Sequence, residues 1–300
     1  MDIPFIIVNA VTVAAIYGLI AVAVSITWSS LGLINLAYGF IYSLAGYAAW
    51  LVATYVARQY IDPALQPIVI AATGIIAGAI GGIIVCLIVF IPLHDKPAFT
   101  SRGMIATLAI SLIGSQLFLM IFGPTAKSLP ELFGRWRVKF FDITLSADKI
   151  GIVVCSIVML AIVVLWMRSS RRGLEIRAMM MNPHAASIVG IGIRRTGLYV
   201  MALTGAMAGL ASVLLSQTYY IAPFSGLTPL IKGVSIALCG GLGSVQGAVI
   251  AAILLGLVEA LTNKFLGGQY VLMTQFLFII LVLIVRPRGI AGLLDKAREQ

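Results

Sequence analysis

The sequence predicts an all-α polytopic membrane protein of about 8–9 transmembrane helices, with a discontinuous or re-entrant element among them. Three observations carry that class. Hydrophobic residues make up 61% of the chain and charged residues 10%, against roughly half and a quarter in a soluble domain, so there are too few charges to clothe a soluble surface. The apolar residues form long charge-free windows, at 3–57, 63–93, 103–126, 150–167, 196–231, 233–258 and 265–285, and a helix needs about 20 such residues to cross the hydrocarbon core. Small residues recur four apart within them: Gly74, Gly78 and Gly82; Gly205 and Gly209; Gly243 and Gly247; Ala252 and Gly256. In lipid no hydrophobic force gathers helices, and close approach through small residues supplies the packing.

No Lys or Arg precedes the first window, and it outlasts the roughly 7–15 residues of a signal peptide's apolar core, so it reads as retained spans. Its length suits two spans. The weak point is Trp28-Ser29-Ser30-Leu31-Gly32, followed by Asn35 and Gly39; a break of small and polar residues at membrane depth requires surrounding protein. Spans are expected at about 4–27, 34–57, 67–91, 104–123, 149–167 and 197–217. A helix pair at about 229–262, pinched at Gly240-Gly241-Leu242-Gly243, crosses twice or re-enters, and a last span covers 269–285. The stretches SSLGLINLAYGFIYSLAGY and CGGLGSVQGAVIAAILLG echo one another, each breaking at small residues before a Gly/Ala-rich helix resumes, and paired breaks in two halves mark transporter paths.

Residues 168–195 hold Arg168, Arg171, Arg172, Arg177, Arg194 and Arg195 against one acid, Glu175. Basic loops stay in the cytoplasm, which places loop 168–196 and the C-terminal tail (Arg286, Arg288, Lys296, Arg298) inside. The N-terminus and residues 124–149 then lie outside. The net charge of +10 is thereby assigned to membrane-flanking loops, with no nucleic acid partner expected.

Enzymatic constellations are poor. His94 and His184 lie in basic loops, and Cys86, Cys155 and Cys239 stand alone in apolar blocks, so no metal site is expected. The chain lacks a G-x-x-x-x-G-K-[ST] sequence and cannot itself be a P-loop ATPase. Two ionisable residues fall in or near spans, Lys232 and Glu259. A charge at the bilayer centre costs at least about 2.5–3.5 kcal/mol and often marks a pathway; the alternatives are a lysine snorkelling to the headgroups or a structural ion pair between the two. Polar residues within spans nominate a lining: Asn35, Tyr38, Gly39 at the break, Thr107, Ser111, Gln116, Lys232 and Ser235. In the basic loop, Asn182 suits an N-cap and Pro183 a first helical turn. The segment His184-Ala185-Ala186-Ser187-Ile188-Val189-Gly190 then offers a small apolar face. Such a face suits a partner's groove or the surface of the inner leaflet.

Five segments in order resemble the permeases of branched-chain (hydrophobic) amino acid ABC importers, and within them the first of the two homologous permease subunits. They are GLINLAYG at 32–39, IPLHDKPAFTSRGMIATLAIS at 91–111, RRGLEIRAMMMNPHAASIVGIGIRR at 171–195, IKGVSIALCGGLGSVQGAVIAAILLGLVEAL at 231–261 and VRPRGIAG at 285–292. The resemblance implies one transmembrane permease domain over 1–300 in the bacterial inner (plasma) membrane. It further implies, as partners, a second homologous permease, two ABC ATPase subunits and a periplasmic substrate-binding protein; ATP and Mg are held by the ATPase subunits, and this chain carries no cofactor. Asn182 to Gly192 resembles the coupling helix that docks into an ATPase, with Pro183, His184, Ala185, Ala186 and Gly190 at the contact and Arg177 and Arg194 facing acids on the partner. Where many members read Asn-Phe-Ala-His-Gly, this chain has Asn35-Leu36-Ala37-Tyr38-Gly39, which leaves urea, short amides or organic acids open beside amino acids. A standalone secondary transporter or channel is the reading from another class; it should need intramembrane acid or Arg relays, which are nearly absent.

Overall fold

The computed structural model describes residues 3–62, 65–134, 137–140 and 143–291; Lys296 and Arg298 of the basic tail and Arg135 lie outside the described residues. Helix α1 (Ile3–Leu31) is followed by a non-helical stretch and α2 (Tyr38–Leu51), which continues through a π-helical stretch, Val52–Ala57, to Tyr60. Helix α3 (Gln66–Val85) likewise passes through a π-helical Cys86–Phe90 to Leu93, and α4 spans Phe99–Phe122. A short antiparallel hairpin pairs β1 (Arg137–Phe140) with β2 (Ile143–Ser146). Then come α5 (Ala147–Ser169), α6 (Arg171–Met181), α7 (Pro183–Ile188), α8 (Ile193–Leu215), α9 (Leu227–Gly240), α10 (Val245–Phe265) and α11 (Val271–Val285). Eight helices among the described residues are long and apolar enough to cross a membrane, and the class is all-α and polytopic.

Helix α1 runs to Leu31 rather than ending near residue 27. The hydroxyls of Ser29 and Ser30 bond back to carbonyls of the preceding turn, Ser25 and Ile26, which satisfies them without breaking the helix. Gly32, at φ +67°, is where the chain turns off. The pair expected at 229–262 is also different. At 1.5 Å per residue, the 14 residues of α9 span about 21 Å, short of the roughly 30 Å core. It is too short to cross alone and is entered from α8 through the irregular stretch 216–226, while Gly241 and Gly243 (φ +94° and +95°) make only a tight turn into α10.

Two helices form the centre. Residues Leu19 and Ala21–Val24 of α1 and most of α8 are buried, whereas α5 and α11 leave long apolar rows outward, such as Ile157, Ile162 and Leu165. Glycines bring each central helix onto a neighbour. A side chain at Gly78 would strike the backbone of Gly205 and Gly209, and one at Gly82 the Met201 carbonyl. On the other side, Gly256 of α10 faces the Ala10 carbonyl and Ala14 of α1, and Gly18 faces Ala252.

These contacts reveal one packing scheme used twice. Helix α1, a break, α2, α3 and α4 correspond to α8, a break, α9, α10 and α11: α3 packs on α8 as α10 packs on α1, and α2 lies along α3 as α9 lies along α10. The α1 and α8 directions are opposed, because α8 starts at the face carrying the arginine-rich loop (the basic face) and α1 ends there. The arrangement is an inverted-topology repeat, and it corrects the echo expected from sequence: the partner of the first break is 216–226, not the glycine turn at 240–243. Gly205→Val should place a branched side chain against the Gly78 carbonyl, and overpacking of this kind costs about 1–3 kcal/mol or more. The expected outcome is loss of the monodisperse, detergent-solubilised chain, read by fluorescence-detected gel filtration; Ala206→Val, one residue away, serves as the comparison.

Candidate functional site

The first break is built by local chemistry. The Asn35 side-chain carbonyl accepts a hydrogen bond from the Ala37 N–H at 2.9 Å, turning the chain into α2, and its amide faces Met201 Sδ at 3.6 Å. Two threonines of α4 fix the extended stretch: Thr100 donates to the Gly32 carbonyl at 3.2 Å and Thr107 accepts from the Leu36 N–H at 3.1 Å. Thr107 lies eight residues past Phe99, about 12 Å along α4, so α2 begins near mid-depth rather than at a membrane surface. Tyr38, buried at the first residue of α2, sets its hydroxyl 2.6 Å from Thr27 Oγ1, which in turn bonds Thr204 at 3.3 Å. This links the break to both central helices.

The second break arrives at the same place. Gly39 and Gly226 touch backbone to backbone, and a side chain on Gly226 would strike the Gly39 carbonyl. The N-terminal ends of α2 and α9 therefore face one another inside the bundle, which directs two positive dipole ends at one point. The Ser111 hydroxyl lies beside Gly39, fully buried, and neither it nor the Ser225 hydroxyl, on the approach to α9, has a hydrogen-bond partner among the described residues.

Asn35, Tyr38, Gly39, Thr107 and Ser111 are thus brought together. Gln116 is not: it stands exposed on the outer half of α4. Lys232 and Ser235 belong elsewhere. Lys232 Nζ donates to both Glu259 carboxylate oxygens at 2.8 Å, and Gln275 Nε2 of α11 donates to Oε2 at 2.7 Å. All three are buried, and the ammonium sits 4.6 Å from the Tyr17 ring centre. Lys232 does not snorkel; its charge is matched inside the protein. The space beside it, bounded by Ser235 and Gln275, is only about 10 Å³, the lower limit for a single water. A larger cavity of about 410 Å³, mostly apolar with Asn9, Thr12, Tyr17, Lys149 and Tyr219 at its border, lies beside Glu259 at the face opposite the basic one. The residues that sequence reasoning missed are Thr27, Thr204, Gly226, Tyr17 and Gln275.

At the basic face, the Asn182 side chain accepts from the Ala185 N–H at 3.0 Å and caps α7, with Pro183 in the first turn and Gly190 at φ +87° closing the elbow. Ala185 and His184 are exposed, but Ala186 is buried, packed into the main core. The outward apolar surface is instead Met181, Ile188 and Val189, each about three-quarters exposed. Gly192 leads into α8. Arg194, expected to meet a partner's acid, forms an ion pair with Asp95 of this chain. Arg172 bonds Glu175 at 3.0 Å and lies over the Tyr199 ring, fastening α6 to α8, while Arg177 has no such partner among the described residues. His94 packs against the rings of Phe90 (tilted) and Phe99 (edge-on).

Residues 6–285 match the family model described as branched-chain amino acid transport system / permease component. The chain is 31% identical over 297 residues to the high-affinity branched-chain amino acid transport system permease protein LivH of Salmonella typhimurium, covering 95% of this chain and 94% of that one. It is 29% identical over 294 residues to the permease protein BraD of Pseudomonas aeruginosa, with the same coverage. Among solved structures, PsaBC from Streptococcus pneumoniae in complex with Fab is similar at a TM-score of 0.49 and 13% identity, over 93% of this chain and 91% of that one.

Proposed function

Because the chain belongs to the permease-component family of branched-chain amino acid transport systems, we propose that it works as one permease unit of an ABC importer, forming with a second permease the path for branched-chain amino acids. The observation that carries this reading is the family match over nearly the whole chain, joined to an elbow whose Met181, Ile188 and Val189 are about three-quarters exposed. The loop 168–196 and the C-terminus face the cytoplasm of the cell that bears this chain in its inner membrane, and two ATPase subunits bind there. The ATPases hold ATP and Mg and perform hydrolysis; this chain transmits the motion. A substrate-binding protein delivers the amino acid to the opposite face.

The junction of α2 and α9 is the narrow point of the path. An amino acid carries a carboxylate, and two facing helix N-termini with the unpaired Ser111 hydroxyl suit that group as it passes. Gly39 and Gly226 touch in the present arrangement, so passage requires the two helix N-termini to separate. Rigid-body displacement driven through the elbow supplies that separation. Gln116, a polar side chain exposed at membrane depth, faces the second permease or the path, where it escapes lipid.

The test is uptake by the reconstituted transporter in ATP-loaded vesicles with its binding protein. Leucine, isoleucine and valine should be accumulated in an ATP-dependent manner, and urea, short amides and organic acids should not. Accumulation of one of the latter with no competition from leucine would assign another substrate to the same importer class. Uptake without ATPase subunits would make the chain a standalone transporter instead.

A further inference from the structure

We infer that the cleft between α1, α5, α6 and α10 at the basic face seats an acidic phospholipid, its acyl chain along the apolar wall and its phosphate between Arg168 and Arg177. The cleft has a volume of about 590 Å³, within the roughly 300–1,000 Å³ of ligand-holding clefts. Its walls are aliphatic, with Val22 and Ile26 from α1, Val164 from α5, Met180 from α6 and Val249 and Ile250 from α10. Its charged lining is Arg168, in the last turn of α5, and Arg177, on α6. Among the described residues no carboxylate borders it.

Three features select the occupant. The two arginines are exposed and have no hydrogen-bond or ion-pair partner among the described residues, unlike Arg172 and Arg194 in the same loop, which meet Glu175 and Asp95. Guanidinium groups bind phosphate oxygens in a fork that an ammonium cannot match. The cleft lies beside α5, which packs chiefly on α1, α6 and α8 and turns Val154, Ile157, Ile162 and Leu165 outward. It therefore opens on the outward, apolar side of α5. Finally, a span that ends at Arg168 sets that side chain at headgroup level, where basic pockets between transmembrane helices on the cytoplasmic side take anionic headgroups. The inference needs the basic face to be the cytoplasmic one, and it needs no particular transported substrate.

The experiment uses the full-length chain purified within its transporter, stripped of lipid and titrated with phosphatidylglycerol or phosphatidylcholine, with retained lipid read by native mass spectrometry. Wild type should retain phosphatidylglycerol in preference. In the Arg168→Ala/Arg177→Ala variant its apparent affinity should fall about thirtyfold, from two lost basic contacts, while phosphatidylcholine retention is unchanged. Val164→Trp, which fills the apolar cleft and leaves both arginines, should also lose the lipid. Wild-type retention by the double arginine variant overturns the proposal. So does retention by Val164→Trp, which would reduce the effect to headgroup attraction at an open surface. Displacement of the lipid by inorganic phosphate as readily as by added phosphatidylglycerol would make the site one for a free anion. If Arg177→Ala alone releases the ATPase subunits while lipid retention is intact, that arginine serves the protein partner and the lipid assignment falls.

Discussion

Lys232→Met should be among the most destabilising substitutions in this chain. Glu259 would keep its charge in a buried site, 3% exposed, with the Gln275 amide as its remaining side-chain hydrogen bond among the described residues. Breaking a buried pair by removing one partner costs about 3–5 kcal/mol, because the orphaned charge cannot return to water. Removing both charges is a different matter: Lys232→Met combined with Glu259→Gln leaves an amide that can still meet Gln275, and most of the loss should be recovered. Thermal unfolding of the detergent-solubilised chain, followed by gel filtration after heating, measures both. Recovery of folding in the double variant together with normal uptake would identify the triad as a bracket joining α9, α10 and α11. If the double variant folds but transports nothing, the charges serve the transport cycle itself.

Ile188→Asp or Val189→Asp should abolish coupling without harming the fold. Both side chains project from the elbow and are 76% exposed, so a carboxylate there costs this chain little. Placed in the centre of a docking contact, the same charge would be desolvated, and truncation or disruption of such central residues costs about 2 kcal/mol or more, which corresponds to roughly a thirtyfold loss of ATPase binding. The expected result is a normally inserted permease with uptake at background and ATPase subunits lost on purification. Ala186→Leu makes the contrast. Ala186 is buried within the chain, so that variant should lower thermal stability as well, and it reports on packing rather than on docking. Full uptake by both aspartate variants would remove the elbow from the coupling pathway.

The elbow was legible because its signals are local. An asparagine before a proline, followed by a small helix and a glycine, dictates a capped turn from adjacent residues alone, and the Asn182 cap is present at 3.0 Å. Which side of that turn faces out was not legible. Ala185 and Ala186 look alike in sequence, and only packing of the six-residue helix against the core decides that Ala186 goes in and Ile188 and Val189 go out.

The first break could be read from Gly32 and Asn35, since small and polar residues without charge interrupt an otherwise seamless apolar run. The second break escaped notice for the opposite reason. Gln217, Tyr219, Tyr220 and Pro223 have the composition of an ordinary surface loop, and nothing in it says that the chain turns back into the bundle. Gln275 is similar: one amide in an apolar span has no spacing signal, and its role depends on Glu259, sixteen residues away in the chain but adjacent across the α10–α11 pair.

Composition and charge placement therefore determined that this is a helical membrane protein, roughly where its spans lie, and that its basic elbow stands apart. Those properties follow from solvent preference, which each residue expresses by itself. The tertiary structure alone decided that α2 and α9 begin inside the bundle and meet at Gly39 and Gly226, 187 positions apart, that Lys232 is matched by Glu259 and Gln275, and that the two halves repeat in opposite directions. Each of these depends on which helices approach closely enough for backbones to touch. That is settled by packing between distant segments, for which a single sequence carries no local mark.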